Sequence, residues 1–436
     1  MTGVEIGILA VGLLLLLILI GMPIGVAMLA VSFGGVSLIR NENVAFRMAG
    51  SVARDSLQEY LFAVVPLFVL MGLLVTVSGV GKDTFDVFQS ALRKVRAGLG
   101  VATVFANAVF ASITGISIAS ASVFSRVAVP EMVRHGYARG FATGVVAGSS
   151  VLGMLIPPSL LMIVYAVQAE ESVGRMFLAG IGPGLLLSVM FTLTILLMAR
   201  LRPAAVFDLN EDHVGPELTL SQTLRKALPI LSLMGLVLGG LYGGLLNPTE
   251  AGAAGALGAL VIAVLRRSLG EGRFWRLLVE TGQITVSVLF LVMAASFFSR
   301  MLAMSGLPAA LGETLLSGPI GPWGFLVIYL LVVILLGCII DSISIMLILL
   351  PIALPVAQAA GFDMIWFGVM TVVAVEIGLL TPPFGLSVFT IKSAMNDPAL
   401  PVGTIFRGTM PFVLAMVAAL FILTLFPGIA TWLARL

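Results

Sequence analysis

"LGMLIPPSL", Leu152 to Leu160, and "IGLLTPPFG", Ile377 to Gly385, each place two consecutive prolines inside a long apolar run. Proline lacks an N–H and its ring clashes with the preceding turn, so each pair stops a helix that hydrophobicity alone would continue. Composition identifies the solvent around those helices. Of 436 residues, 60% are hydrophobic and 10% charged, a balance that no water-soluble core of this size needs. Apolar runs of about 17 residues or more, long enough to cross hydrocarbon as helices, recur at 3–20, 23–39, 61–79, 97–125, 139–168, 177–199, 226–246, 249–265, 282–304, 322–358, 364–392 and 408–433. They lack the strict alternation of an outer-membrane barrel. The expected fold class is an all-α polytopic membrane protein.

The N-terminal "LLLLLILI" has no basic leading region and no Ala-x-Ala cleavage site, so it reads as a retained first span. A single cysteine, Cys338, excludes an internal disulfide framework, and two histidines, His135 and His213, leave little for a zinc or iron site. A net charge of +2 says nothing useful about nucleic acid.

The two proline pairs are 225 positions apart, and the same offset aligns Pro23 with Pro248, Gly81 with Gly306, Ser117 with Ser342, Pro130 with Pro355 and Gly136 with Gly361. Roughly half a proline match is expected by chance at one offset with this composition, and four occur. The spacing predicts two repeats, 1–225 and 226–436, joined by a polar linker near 200–226. Each repeat holds three spans, a Gly/Ser-interrupted hairpin (about 97–135 and 322–360), a broken helix (about 139–168 and 364–392) and a last span. With re-entrant hairpins each repeat crosses the bilayer five times, and an odd number inverts the second. All but six of the 23 Lys and Arg then share one face, cytoplasmic by the positive-inside rule. The six, Arg40, Arg47, Arg54, Arg175, Arg300 and Arg435, share the other face with both termini. The hairpins would enter from opposite faces and meet at mid-membrane.

Broken helices expose backbone groups that hydrocarbon cannot satisfy, so they survive where they line a cavity, bind ions or pack in protein. Carbonyls freed before the prolines suit a hard cation such as sodium, and half-helix N-termini suit an anion. The hairpin tips add small hydroxyl residues, "SITGISIASAS" (112–122) and "IIDSISI" (339–345). Helix packing by small residues is the competing reading of these tips. Asp341 and Glu376 are the costliest residues in the chain. Asp341 reads as an ion ligand, proton carrier or hairpin-tip cap. Glu376, whose counterpart is Val151, has a coupling or structural role, protonated or paired with a base such as Lys392. Glu250 opens the helix after Pro248, where the helix dipole favours an acid. The segments 81–95 and 306–318 read as surface arms or as ordinary loops.

Seven stretches in order, "GMPIGVAM" (21–28), "VPLFVLMG" (65–72), "RHGYARGFATG" (134–144), "GMLIPPSLLMIVY" (153–165), "NPTEAGAAGA" (247–256), "DSISIMLILLPIALPVA" (341–357) and "EIGLLTPPFGLSVF" (376–389), resemble the large membrane subunit of tripartite ATP-independent periplasmic (TRAP) transporters. That family belongs to the ion transporter superfamily, and the resemblance covers essentially the whole chain. It implies a multi-pass protein of the bacterial inner membrane that imports a small organic acid anion, such as a dicarboxylate, sialic acid or another sugar acid, by sodium symport. It also implies an elevator mechanism, a periplasmic substrate-binding protein (P subunit) and a separate small membrane subunit (Q), with no small subunit fused here. Sodium is then expected at two sites, one using Thr114, Gly115, Ser117, Gly153 and Pro157, the other Asp341, Ser342, Ser344, Gly378, Thr381 and Pro382. Substrate would lie between the tips near Ser120 and Ser387. Family members commonly carry Ser-Gly-Ser-Ser at the first tip, where this chain has Thr114-Gly115-Ile116-Ser117, so Ile116 offers only its backbone. No lone intramembrane arginine marks a carboxylate clamp, which points to recognition by helix ends and hydroxyls. A stand-alone carrier of the same superfamily is the alternative. An intramembrane hydrolase lacks a histidine in any apolar span, and a channel would give flux that neither saturates nor depends on sodium.

Overall fold

The computed structural model describes residues 1–208 and 217–435; His213 and the middle of the linker lie outside them. Those residues are helical almost throughout. In chain order the principal helices are α1 (Gly3–Leu19), α2 (Ile24–Ile39), α3 (Glu42–Gln58), α4 (Val64–Val77), α5 (Val80–Ala91), α6 (Gly98–Thr114), α7 (Ser117–Arg134), α8 (Arg139–Leu155), α9 (Leu160–Gln168) and α10 (Val173–Leu201). After the linker come α11 (Leu220–Tyr242), α12 (Pro248–Leu265), α13 (Arg273–Ser305), α14 (Leu307–Ser317), α15 (Gly321–Gly337), α16 (Ser342–Ala359), α17 (Met364–Leu380), α18 (Leu386–Met395) and α19 (Val402–Leu425).

The starts of α7 and α16, the starts of α8 and α17, and the ends of α8 and α17 are each 225 residues apart. Among the described residues, six helices are at least 18 residues long and apolar enough to cross a membrane. The bent pairs α4–α5 (63°) and α8–α9 (42°) raise that to eight, while α1, α2, α6, α15 and α17 are apolar but shorter. Against the ten crossings expected, length and composition alone give eight at most, with α1, α2 and α17 at or just below the lower limit of about 17 residues for a span. Caps set several of these ends. Thr2 and Glu5 form a capping box on α1, and Asn247 and Glu250 form one on α12, where the acid sits in the first turn as expected.

One helix has no counterpart among the expected elements. Asn41 accepts the Val44 N–H and starts α3, whose Ala45 and Val52 are buried while its charged residues stay outside. It is an amphipathic surface helix. The corresponding stretch of the second half is absorbed into α13, a continuous helix of 33 residues.

Packing partners are exchanged between the halves: α4 lies on α12 and α2 on α13, α5 on α11 and α14 on α1, α7 on α18 and α16 on α9, α8 on α19 and α17 on α10. The α8–α19 crossing is backbone against backbone. A Cβ on Gly144 would stand 2.0 Å from the Gly408 carbonyl oxygen, and one on Gly408 would stand 1.8 Å from that of Gly140, the small-residue contact by which membrane helices approach closely. Tyr165 donates to the Met364 carbonyl at 2.6 Å, and Trp366 to that of Leu423 at 2.9 Å.

Charge pairs fall into two groups. Lys226 bridges Asp83 and Asp86 of α5, Arg266 meets Asp83 at 2.5 Å, Arg93 meets Glu217, and Arg139 meets Asp397 at 3.1 Å. Separately, Arg300 meets Asp55 at 2.8 Å, Arg435 meets Asp363 at 2.9 Å, and Arg175 donates to the Ala434 carbonyl.

Candidate functional site: two hairpin tips and two broken helices

Helix α6 ends at Thr114, whose hydroxyl donates back to the Phe110 carbonyl at 3.2 Å. Gly115 then turns with φ +63°, Ile116 is extended, and Ser117 begins α7. The tip seats directly on the break after α8. The Leu160 N–H donates to the Gly115 carbonyl at 3.3 Å, and a Cβ on Gly115 would lie 2.5 Å from the Pro158 carbonyl oxygen. Glycine is required here by backbone angle and by contact alike. A Cβ on Gly153 would meet the backbone of Ile116 and Ser117 at 3.1 Å. Past the cis Pro157–Pro158 bond, Ser159 caps α9 by accepting the Met162 N–H and donating to the Met154 carbonyl at 2.5 Å. Thr114, Gly115, Ser117, Gly153 and Pro157 thus share one buried layer.

The second tip repeats this arrangement with differences. Asp341 caps α16 by accepting the Ser344 N–H at 3.1 Å, and Ser342 and Ser344 are buried behind it. The Phe384 N–H donates to the Cys338 carbonyl at 3.2 Å across the break that holds the cis Pro382–Pro383 bond. Gly337 and Gly378 touch backbone to backbone, since a Cβ on either would lie within 2.8 Å of the other's Cα. Thr381 donates to the Ile377 carbonyl at 2.7 Å. Asp341, Ser342, Ser344, Gly378, Thr381 and Pro382 therefore flank one break. Pro382, Pro383 and Phe384 are exposed, whereas Pro157, Pro158 and Ser159 are buried.

The halves meet where Ser117 donates to Glu376 Oε1 at 3.4 Å. Glu376 is 1% exposed and its Oε2 has no hydrogen-bond partner; the buried hydroxyls of Ser344 and Ser387 have none either. Lys392 does not pair with Glu376: its ammonium donates to the carbonyls of Asp397 and Leu400. Ser120 is buried inside the first hairpin and donates to Asn107 Oδ1 at 2.5 Å, while Asn107 Nδ2 donates to Ser149 at 2.6 Å. Asn107 was missed in the sequence. Its signal, an amide amid a helix of small apolar residues, is weak.

Hydroxyls, carbonyls and two carboxylates, Asp341 and Glu376, gather around the tips without histidine or thiolate ligands. Among the described residues no group of three or more His, Cys, Asp and Glu could hold a metal. Such a donor set suits a hard cation rather than a transition metal.

Paired helix breaks with buried tips thus sit inside an all-helical chain that carries several apolar, membrane-length helices. A family model for "Tripartite ATP-independent periplasmic transporter, DctM component" matches residues 11–429, and the chain belongs to that family. It is 34% identical over 380 residues to the C4-dicarboxylate TRAP transporter large permease protein of Pseudomonas aeruginosa, covering 86% of each chain. It is 32% identical to the protein of that name from Rhodobacter capsulatus, covering 98% of each. The ectoine TRAP transporter large permease protein of Halomonas elongata is 30% identical over 96% of this chain and 97% of that one. The crystal structure of the Alcanivorax borkumensis YdaH transporter shares the fold, with a TM-score of 0.54 at 15% identity over 84% of this chain and 85% of that one.

Proposed function

We propose that this chain is the membrane-embedded transport subunit of a sodium-driven TRAP importer for a small organic acid anion, with C4-dicarboxylates first among the candidates and sialic or other sugar acids next. The observation that carries it is the close seating of each hairpin tip on a Pro-Pro break, with the buried hydroxyls of Ser344 and Ser387 left unpartnered on the second-half side. Sodium would be held by Thr114, Gly115, Ser117, Gly153 and Pro157 at the first tip. At the second it would be held by Asp341, Ser342, Ser344, Gly378, Thr381 and Pro382. Ser387, buried and unpartnered in the first turn of α18, is the stronger substrate contact, because Ser120 is already committed to Asn107. The dicarboxylate reading follows the names of the two C4-dicarboxylate relatives above, while the ectoine relative carries a different solute.

The repeats 1–225 and 226–436 are read as inverted, each with five spans and a re-entrant hairpin. Two observations favour this: helix bounds 225 residues apart, and partners for Arg300 (Asp55), Arg435 (Asp363) and Arg175 (the Ala434 carbonyl) that are separate from those of the rich basic face. Under the positive-inside rule both termini are periplasmic in the inner membrane. The hairpins and broken helices form the moving body of an elevator, and α1, α2, α4 and α11–α13 form the frame. A small Q subunit packs beside the frame, and a periplasmic binding protein delivers substrate.

Uptake of radiolabelled organic acids into proteoliposomes, with this chain alone and with its two partner subunits, tests the reading. Saturable uptake that needs all three and a sodium gradient is the expected result. Uptake by the chain alone would replace it with the stand-alone carrier, and sodium-indifferent uptake would overturn both ion sites.

A further inference from the structure

Glu376 is the sole acidic or basic side chain among the described residues that are less than a tenth exposed. It lies on α17 five residues before Thr381. Its Oε1 faces Ser117 Oγ at 3.4 Å, its Oε2 is unsatisfied, and no described Lys, Arg or His pairs with it. A carboxylate so enclosed is strongly disfavoured unless positive charge compensates it. The 3.4 Å separation is long for an O–H···O bond, which ordinarily spans about 2.5–3.0 Å. The Ser117 end belongs to the tip layer that Gly115 and Gly153 press against the first break.

We propose that Glu376 supplies the counter-charge for a monovalent cation at the first hairpin tip, its carboxylate and the Ser117 hydroxyl sharing the ion, so that this site is built from both halves of the chain. The proposal rests on the sodium-coupled reading above and adds a charged ligand from the second half. Backbone carbonyls and hydroxyls form a neutral cage, whereas Glu376 makes the loaded site electroneutral inside the bilayer. Because Glu376 sits on the helix that ends at the second break, filling the first site also fixes the position of Gly378 and Thr381.

Sodium-dependent thermal stabilisation of the purified full chain, with potassium as the control ion, is to be measured for wild type, Glu376→Gln and Ser344→Ala. Glutamine keeps size and hydrogen bonding but removes the charge. Glu376→Gln is expected to weaken the first-site component of the sodium response by about 10- to 100-fold, a component that Ser344→Ala, at the second site, leaves in place. A wild type indifferent to sodium would overturn the sodium reading itself, and this proposal with it. A sodium-responsive wild type with an unaltered Glu376→Gln midpoint, as a permanently protonated Glu376 would give, overturns the proposal and leaves that reading standing. If Glu376→Gln does not fold, the sodium-induced infrared difference spectrum of the wild type decides. A shifted carboxylate band that is absent from Ser117→Ala supports the shared ion. An unshifted carboxylate region, or a protonated carboxyl band indifferent to sodium, overturns it.

Discussion

Replacing Gly115 by alanine probes the joint on which the first tip depends. The residue has φ +63°, which costs an L-residue about 1–2 kcal/mol. The added Cβ would stand 2.5 Å from the Pro158 carbonyl oxygen, whereas real Cβ contacts begin at 3.0 Å. Tip and break must therefore part by roughly 0.5 Å, the shortfall between those distances. The hydrogen bond from Leu160 N–H to the Gly115 carbonyl is already 3.3 Å long, so that movement breaks it, at a further cost of about 1 kcal/mol. Together these give a destabilisation of about 2–3 kcal/mol, concentrated where the ion ligands are expected. The assay is thermal unfolding in detergent with and without sodium. Gly50→Ala serves as the control, because its Cβ would meet nothing within 4 Å on the exposed face of α3. Gly115→Ala is expected to unfold several degrees lower and to lose sodium protection, while Gly50→Ala matches wild type or exceeds it slightly. A Gly115→Ala protein with wild-type unfolding temperature and sodium response would refute the contact between tip and break.

Three further outcomes follow from the packing and the charges. Gly144→Ala puts a Cβ 2.0 Å from the Gly408 carbonyl oxygen, so α8 and α19 must separate, lowering stability by about 1–3 kcal/mol; detergent unfolding checks this, with Gly282→Ala as an open-space control. Asp83→Ala removes the carboxylate shared by Lys226 and Arg266 and costs about 1 kcal/mol at low salt, a difference that shrinks at about 0.5 M salt. At Asp363, burial would raise the carboxyl pKa, but the Trp366 N–H and Arg435 outweigh it and hold the pKa below the usual value. A depressed folded pKa contributes stability above the unfolded value of about 4, and that stability is lost as pH falls through the lower folded value. Asp363→Asn, which keeps the cap, should therefore be slightly less stable than wild type at pH 7, the gap closing below about pH 4.

The helix breaks were legible because proline states its effect locally: Pro157–Pro158 and Pro382–Pro383 stand where α8 and α17 stop. The tips were legible as hydroxyls gathered around a turn, and Glu250 as a helix-opening acid. Other features were not local. Helix α3 was missed because its charged residues hide an apolar stripe of Val44, Ala45, Met48 and Val52, which the Asn41 cap and helical spacing would have revealed. The Ser117–Glu376 contact joins residues 259 apart in sequence, and only the exchange of packing partners brings them together. Asn107 is polar in a helix that otherwise reads as packing, and its partners Ser120 and Ser149 lie on two other helices. The unequal exposure of the two breaks has no sequence signal, because both carry the same proline pair.

That exchange of partners has a cost during biosynthesis. The Ser117 tip emerges from the ribosome 259 residues ahead of Glu376, an interval of about 13–50 s at ordinary elongation rates. Through that interval the first hairpin has none of α18, and α8 none of α19, so the tip, seated only on the break of its own half, waits for the partner of Ser117. The N-terminal half alone thus presents the faces of α7 and α8 that α18 and α19 later cover. A translational pause or premature stop after the linker would leave an orphan prone to quality-control degradation rather than a smaller working unit.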